Sequence, residues 1–198
     1  MDKLSYAIGM SVGLHLLSDG VKEEEINFDD FIAGVRDTIK PRGELKMKPS
    51  KAQEIINRYF DEMDAKMNAA AAAKAEEYLK ENAKKEGVKV TDSGLQYRIL
   101  REGGIMKWPN SHSRVRVHYE GRLADGTVFD SSYERQKPEE LNLDQVIPGW
   151  AEGLCLMKPG AMYEFVLPPV LGYGETGVPG HIPGNSVLIF TIELLDIL

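Results

Sequence analysis

The stretch that decides the fold is Val115-Arg116-Val117-His118-Tyr119-Glu120-Gly121-Arg122-Leu123-Ala124-Asp125-Gly126-Thr127-Val128-Phe129-Asp130. Apolar and polar residues alternate from Val115 to Tyr119, as they do when one face of a strand is buried. Asp125-Gly126 is typical of the two positive-φ positions of a type I′ turn, and Val128-Phe129 begins a return strand. The stretch therefore predicts an antiparallel hairpin.

The same period of two continues on both sides of this hairpin. It appears at Leu95, Tyr97 and Ile99, at Tyr163, Phe165 and Leu167, and from Val187 to Leu195. Between these strands, residues 149–157 suit one short helix. Residues 90–198 are therefore predicted to form a β-sheet with one helix across it.

The first 89 residues are instead predicted to be helical. One helix is expected over about Leu4 to Leu17, and it is apolar on two sides. A second starts at the N-cap Asn27 and ends at Pro41-Arg42-Gly43. These helices define a predicted domain over residues 1–48, in a chain whose fold class is α+β.

A third, long helix is predicted over residues 49–89. Ser50 and Gln53 fit a capping box, and five alanines, Ala69 to Ala73, favour the helix interior. About 36 residues would span roughly 54 Å, which exceeds the width of so small a domain. We therefore expect the C-terminal half of this helix to be a solvated spacer.

The apolar faces of the N-terminal helices must be buried against another packing surface. About 45 residues of short helices do not easily close a core of their own. We expect a homodimer through residues 1–65, in which the helices of two chains interleave. The alternative is that these faces pack on the β domain of the same chain.

Composition excludes several classes of protein. The 198 residues carry a net charge of −7, which argues against nucleic acid as a partner. A single cysteine, Cys155, excludes an intrachain disulfide, and no apolar run is long enough to predict a membrane span. The start of the chain lacks a signal-peptide layout, so a cytoplasmic protein is predicted; removal of a signal peptide would place it in the periplasm or at the surface.

Three apparent chemical motifs carry little weight. Residues 172–177 match Gly-x-Gly-x-x-Gly, but the prolines around them leave no helix to cradle a phosphate. The four histidines show no metal-ligand spacing, so neither a metal nor a cofactor is expected. Cys155 falls within an apolar helix pattern and is expected in the core rather than as a nucleophile.

Aromatic and apolar residues gather beside the turns of the C-terminal region, with few polar groups among them. This make-up is typical of an apolar ligand pocket. The residues alone indicate a site for an apolar or proline-like group, and for Phe129 and Phe190 ordinary core packing is an equal alternative.

Five segments of this region resemble the FKBP family of peptidyl-prolyl cis–trans isomerases in order and spacing. They are residues 117–121, 125–132, 146–150, 172–174 and 190–198. Residues 78–88 and 93–97 also resemble the linker of bacterial dimeric FKBPs of the macrophage infectivity potentiator type. The resemblance implies an antiparallel half-barrel wrapped on one helix, preceded by a helical dimerisation domain and giving a V-shaped dimer.

The resemblance also implies the site. Its catalytic residues would be Asp130, Tyr173, Trp150, Phe129 and Tyr119, and its substrate-binding residues Arg135, Val146, Ile147, Ile182 and Phe190. In the family the tryptophan forms the pocket floor and the tyrosine hydroxyl meets a ligand carbonyl. Glu139, Val178 and His181 depart from the family pattern or lie at variable positions, and they bear on affinity for the macrolide inhibitors of the family.

The implied activity is isomerisation of Xaa-Pro bonds in unfolded or partly folded polypeptides, with chaperone activity from the dimer. The apolar box would exclude water and disfavour the planar amide, while Asp130 and Tyr173 orient the carbonyl. Arg135 would support Asp130 through an ion pair. The alternative is a binding module with weak isomerase activity.

Overall fold

The computed structural model describes residues 1–40, 45–104 and 106–198. Within these ranges there are four α-helices: α1 (Lys3–Ser18), α2 (Phe28–Ile39), α3 (Pro49–Ala83) and α4 (Pro148–Leu154). The same ranges contain seven strands: β1 (Val88–Val90), β2 (Gln96–Arg101), β3 (Arg114–Leu123), β4 (Val128–Ser131), β5 (Glu139–Asn142), β6 (Met162–Leu167) and β7 (Leu188–Ile197). The predicted α+β class is confirmed.

All strands belong to one antiparallel sheet. Its order is β1-β2-β6-β7-β3-β4, and β5 pairs with β3 beside β4. β3 is thus the central element: one edge pairs with β7, and the other is shared by β5 and β4. This sharing brings the residues of three short segments to one end of β3.

The hairpin between β3 and β4 forms as predicted, but its turn type differs. Gly126 has a φ of 92°, whereas Asp125 is not among the described non-glycine residues with positive φ, so a type I′ turn is wrong. Gly126 N–H donates to the Leu123 carbonyl at 3.0 Å, and Leu123 N–H donates to the Thr127 carbonyl at 2.8 Å. This is a three-residue loop in which the left-handed glycine follows a tight turn.

The hydrophobic core lies between the sheet and α4. Trp150 and Leu154 of α4 are buried against the inner face, together with Phe165 of β6. A Cβ on Gly153 would lie 2.7 Å from the Phe165 ring, which is closer than real contacts allow. The helix therefore approaches the sheet closely, and this fixes the position of Trp150. Cys155 is half-buried and packs against the same core, as expected.

The chain divides into two compact units, residues 1–59 and 60–198, and the division falls within α3. The second half of α3 is not the solvated spacer that we expected. Ala75, Tyr78 and Leu79 form a hydrophobic cluster with Val166, Val187 and Ile189 of the sheet region. The reason is a short apolar stripe in a mostly polar helix, which is sufficient to bury these three residues.

A buried pair of amides fastens the end of α3 to β2. Asn82 Nδ2 donates to Gln96 Oε1 at 2.9 Å, and Gln96 Nε2 donates to the Leu79 carbonyl, also at 2.9 Å. Both side chains are at most 5% exposed. The second half of α3 thus belongs structurally to the unit that holds the sheet. The predicted domain limits at residues 48 and 89 stay predictions.

The N-terminal unit contains the starts of the three helices predicted in the first 89 residues. Asn27 is the N-cap of α2, since its Oδ1 accepts from Asp30 N–H at 3.1 Å, as predicted. The capping box at Ser50 is wrong, because α3 begins one residue earlier with Pro49 in its first turn, where proline is favoured. The predicted stop at residues 41–43 lies outside the described residues, although α2 itself ends at Ile39.

The large apolar residues of α1 are exposed in the single chain, except Leu16, which is half-buried. They include Leu4 and Leu17, each 71% exposed, and Leu14, 63% exposed.

In the described ranges, no helix combines the length and hydropathy that a membrane crossing needs.

Candidate active site

The predicted residues meet at a cavity of about 330 Å³ on the inner side of the sheet. It is lined by Tyr119, Phe129, Asp130, Leu141, Gln145, Val146, Ile147, Trp150, Tyr173 and Phe190. Strands β3, β4, β5 and β7, the start of α4 and the loop after β6 each contribute to it. A wider cleft of about 530 Å³ lies elsewhere, between α3 and two loops, but the aromatic residues converge on the smaller cavity.

Four aromatic rings form the wall of the cavity in a chain of edge-to-face contacts. The Tyr119 and Trp150 centroids are 4.9 Å apart with planes at 83°, and those of Trp150 and Phe190 are 5.2 Å apart at 88°. Phe129 and Phe190 continue the chain at 5.6 Å and 90°. Such contacts are favourable beyond the area they bury, and they hold each ring in one orientation.

A polar cluster interrupts this apolar wall at Asp130. The Tyr119 hydroxyl donates to one carboxylate oxygen of Asp130, and the Arg135 guanidinium donates to the other. A second guanidinium nitrogen donates to the Tyr119 oxygen at 2.9 Å. The three side chains form a closed ring of hydrogen bonds, which orients the carboxylate at the cavity wall.

The cluster sets the protonation of its members. Burial of the Asp130 carboxyl raises its pKa, but hydrogen bonds from Tyr119 and Arg135 outweigh burial, so the pKa of Asp130 is below its usual value. Burial, followed by the bond to Asp130, raises the pKa of Tyr119 to about 12. At neutral pH the cavity therefore presents an ionised carboxylate and a neutral phenol.

Tyr173 also lines the cavity and is partly exposed to solvent. It is 39% exposed. Burial and the negative charge of Asp130 both raise the pKa of its hydroxyl. The phenol thus stays a hydrogen-bond donor at neutral and mildly alkaline pH, in reach of a group that enters the cavity.

The structure brings eight of the ten predicted site residues to the cavity lining. Arg135 is not among the lining residues and lies behind Asp130, which it holds. Ile182 is 6% exposed and belongs to the hydrophobic core instead of the lining. The contributions of these residues to binding stay predictions.

Two lining residues were missed from the sequence. Leu141 lies in β5, a strand of four residues that is too short to show a period of its own. Gln145 directly precedes Val146 and Ile147, so its nearness to a predicted lining segment was the one available signal. Glu139, the departure from the family pattern, places a second carboxylate on Arg135, with Oε1 3.3 Å from Nε.

An antiparallel sheet around one short helix, with a cavity walled by aromatic rings, is typical of a protein with a site for an apolar group. Comparison with known proteins sharpens this class. Residues 106–195 match the family model described as FKBP-type peptidyl-prolyl cis-trans isomerase. Residues 1–99 match that of the domain amino terminal to FKBP-type peptidyl-prolyl isomerase.

Individual relatives are similar in sequence to nearly the whole of this chain. The FKBP-type 22 kDa peptidyl-prolyl cis-trans isomerase of Escherichia coli is 42% identical over 202 residues, covering 98% of this chain and 94% of the relative. FkpA of Aeromonas hydrophila is 43% identical, over 99% of this chain and 76% of its own. The crystal structure of FkpA from Escherichia coli matches with a TM-score of 0.74 and 38% identity, over 98% of this chain and 95% of that one.

The chain therefore belongs to the FKBP-type peptidyl-prolyl cis-trans isomerases, with the helical N-terminal domain found in part of the family. It is an enzyme that accelerates cis–trans exchange at Xaa-Pro bonds of proline-containing polypeptides. The predicted family, fold class and activity are confirmed.

Proposed function

We propose that the aromatic cavity catalyses isomerisation by favouring the twisted Xaa-Pro amide over both planar forms. Amide resonance sets a rotation barrier of roughly 18–20 kcal/mol. A planar amide carries separated charge that water stabilises, and a twisted one has lost part of it. Trp150, Phe129, Tyr119 and Phe190 surround the cavity with apolar surface, so the planar form loses more solvation there than the twisted form.

Asp130 and Tyr173 supply the polar part of this mechanism. The negative charge of Asp130 favours the twisted amide, because twisting withdraws negative charge from the carbonyl oxygen. The Tyr173 hydroxyl is a donor that orients that oxygen. Val146 and Ile147 hold the apolar flank of the substrate. The observation that carries the proposal is the ionised carboxylate held at the wall of an aromatic cavity.

The experiment that tests it measures cis-to-trans exchange of a short Xaa-Pro peptide. Asp130→Ala should lower kcat/KM by about tenfold or more, since the negative charge that favours the twisted amide is lost. Trp150→Leu should also lower it, and it removes less buried volume than Trp150→Ala. Asp196→Ala is the matched control, because it breaks an Arg–Asp pair with Arg116 that lies outside the cavity lining. Equal rates in Asp130→Ala and the control would exclude the proposed role.

The same assay separates the enzyme from the alternative, a binding module with weak activity. A low rate for the wild-type chain on short peptides would favour the binding module. Added macrolide tests the predicted inhibitor binding, for which the lining supplies the apolar walls. Glu139 bears on this inhibitor binding, because its carboxylate, which pairs with Arg135, replaces an aromatic residue that is often found at this position in the family.

We further propose that residues 1–65 form a homodimer and that the dimer acts as a chaperone. The supporting observation is the exposure of the apolar rows of α1 and α2, since contiguous apolar surface of this extent marks an interaction site. Members of these rows are Leu4, Ile8, Met10, Leu14, Leu17, Phe28, Ile32, Val35 and Ile39. A second copy carries the same faces and so covers both. Both predicted locations, the cytoplasm or, after removal of a signal peptide, the periplasm or surface, stay predictions.

A further inference from the structure

The loop over residues 172–187 carries Tyr173 and is tied to α3 by one side chain. Asn185 is 9% exposed and has a φ of 57°, in the left-handed region. Its Nδ2 donates to the main-chain carbonyl of Asn68 in α3 at 3.2 Å. Its backbone N–H donates to the Gly174 carbonyl at 2.9 Å. One residue thus joins the helix to the position next to Tyr173.

The packing around Asn185 leaves the loop little room. A Cβ added to Gly184 would lie 1.9 Å from the Glu175 carbonyl oxygen and 3.3 Å from Asn68 Oδ1. The two arms of the loop are therefore in contact with each other and with α3. Val187, two residues further on, is buried in the cluster beneath Ala75 and Tyr78.

The chemistry at position 185 calls for two properties at once. A left-handed backbone is energetically costly for most residues with a side chain, but asparagine tolerates it. A buried amide that faces a carbonyl must also be a donor, since an acceptor there would leave two oxygens opposed. Asparagine satisfies both conditions.

We infer that Asn185 is a positioning residue of the active site, which holds Tyr173 in place by fastening its loop to α3. The second half of α3 is then part of the support of the catalytic cavity. The inference rests on the proposed role of Tyr173 and deepens it. Asn185 is not among the cavity-lining residues, so it acts through the loop.

The decisive variant is Asn185→Gly in the full chain. Glycine keeps the left-handed φ and the backbone N–H, while the side chain that donates to the Asn68 carbonyl is removed. Loss of one neutral hydrogen bond should speed amide exchange of residues 173–185 by about two- to tenfold and lower kcat/KM on a short peptide by a similar factor. Lys80→Ala is the control on the same helix, because it changes an exposed ion pair and leaves the donor and the acceptor of this bond in place; it should change neither quantity.

A double variant tests whether the effect passes through Tyr173. Once Tyr173→Phe has removed the hydroxyl, Asn185→Gly should lower kcat/KM little further. Unchanged loop exchange in Asn185→Gly overturns the inference, as do faster exchange with unchanged kcat/KM and fully additive losses in the double variant. Failure of the proposed function has a different signature: Tyr173→Phe alone would then retain wild-type kcat/KM, whatever the loop exchange of Asn185→Gly shows.

Discussion

Gly121 lies beneath two rings of the aromatic cavity, where no side chain fits. A Cβ at this position would stand 2.7 Å from Phe129 Cζ and 2.7 Å from Phe190 Cε1. Both rings take part in the chain of edge-to-face contacts that ends at Tyr119. Any displacement of the rings is therefore passed to the wall of the site.

Gly121→Ala should consequently affect stability and activity together. Forcing an extra methyl group into a packed site costs about 1–3 kcal/mol. We expect the free energy of unfolding in urea to fall by that amount, and kcat/KM to fall as the rings move. Gly104→Ala is the control, since nothing lies within 4 Å of its added Cβ. Wild-type kcat/KM in Gly121→Ala would show that ring placement does not limit catalysis.

The pH dependence of the site follows from the Asp130 cluster. The folded pKa of Asp130 is lowered, so the stability it contributes is complete above its unfolded pKa and is lost as pH falls through the lowered folded value. Tyr119 acts oppositely: its contribution is complete below the unfolded pKa of about 10 and is lost towards the folded value of about 12.

Neither group should titrate between pH 5 and 9. We therefore expect the kcat/KM profiles of wild type and Asp130→Asn to have the same shape over that range, with the variant uniformly lower. Rates of a short Xaa-Pro peptide at half-unit intervals measure this. A pH limb present in wild type and absent from Asp130→Asn would contradict the assigned ionisation of Asp130.

At the scale of elements, the second half of α3 decides which fragment folds by itself. Val166, Val187 and Ile189 are 3–4% exposed because Ala75, Tyr78 and Leu79 cover them. Burial of such a side chain contributes about 1.5–3 kcal/mol. A fragment that starts at residue 88 leaves all three uncovered, whereas one that starts at residue 60 retains the whole compact unit.

The fragment over residues 60–198 should therefore be more stable than that over residues 88–198 by at least about 3 kcal/mol. Urea unfolding of the two fragments measures the difference. Leu79→Ala in the longer fragment should lose part of it, while Lys80→Ala, one residue further along the helix and on an exposed ion pair, should not. Equal stabilities of the two fragments would show that the second half of α3 does not stabilise the sheet, and would favour the predicted solvated spacer with a domain boundary at residue 89.

The elements differ in how far the sequence predicts them. The strand around Val117 is predicted because one buried face imposes a strict period of two. The strand around Phe165 is predicted from Tyr163, Phe165 and Leu167 on its inner face, although Val166 on the other face is buried as well. The turn at Asp125-Gly126 is not predicted, since this pair fits both a type I′ turn and a tight turn followed by a left-handed glycine. The contact of α3 with the sheet is hidden because its apolar stripe is short and the helix as a whole is polar.

The site shows the same division. Trp150 and Asp130 are predicted through the segments that carry the family resemblance. Leu141 is missed because its strand has no visible period, and the hydrogen bond from Asn185 to Asn68 joins residues 117 positions apart. No local pattern contains such a pairing, so only the folded chain reveals it.

At the scale of the whole molecule, the proposed dimer turns on the exposed rows of α1. Ile8 is 58% and Leu14 63% exposed in the single chain, so glutamate at both positions costs little in an isolated chain but buries charge in an interface. Ile8→Glu/Leu14→Glu should therefore change the mass in light scattering from two chains to one. Lys66→Glu, just outside the predicted interface, should leave it unchanged.

The dimer has a part in function only if its loss affects activity on a refolding protein and activity on a short peptide differently. Catalysis on a short peptide needs one cavity, so kcat/KM per chain should be the same for the double variant and wild type. A refolding protein limited by proline exchange also needs to be held, and its refolding should slow by several-fold in the double variant. A monomeric wild-type chain would overturn the dimer itself. Equal refolding by monomer and dimer would instead leave residues 1–65 without a part in chaperone activity.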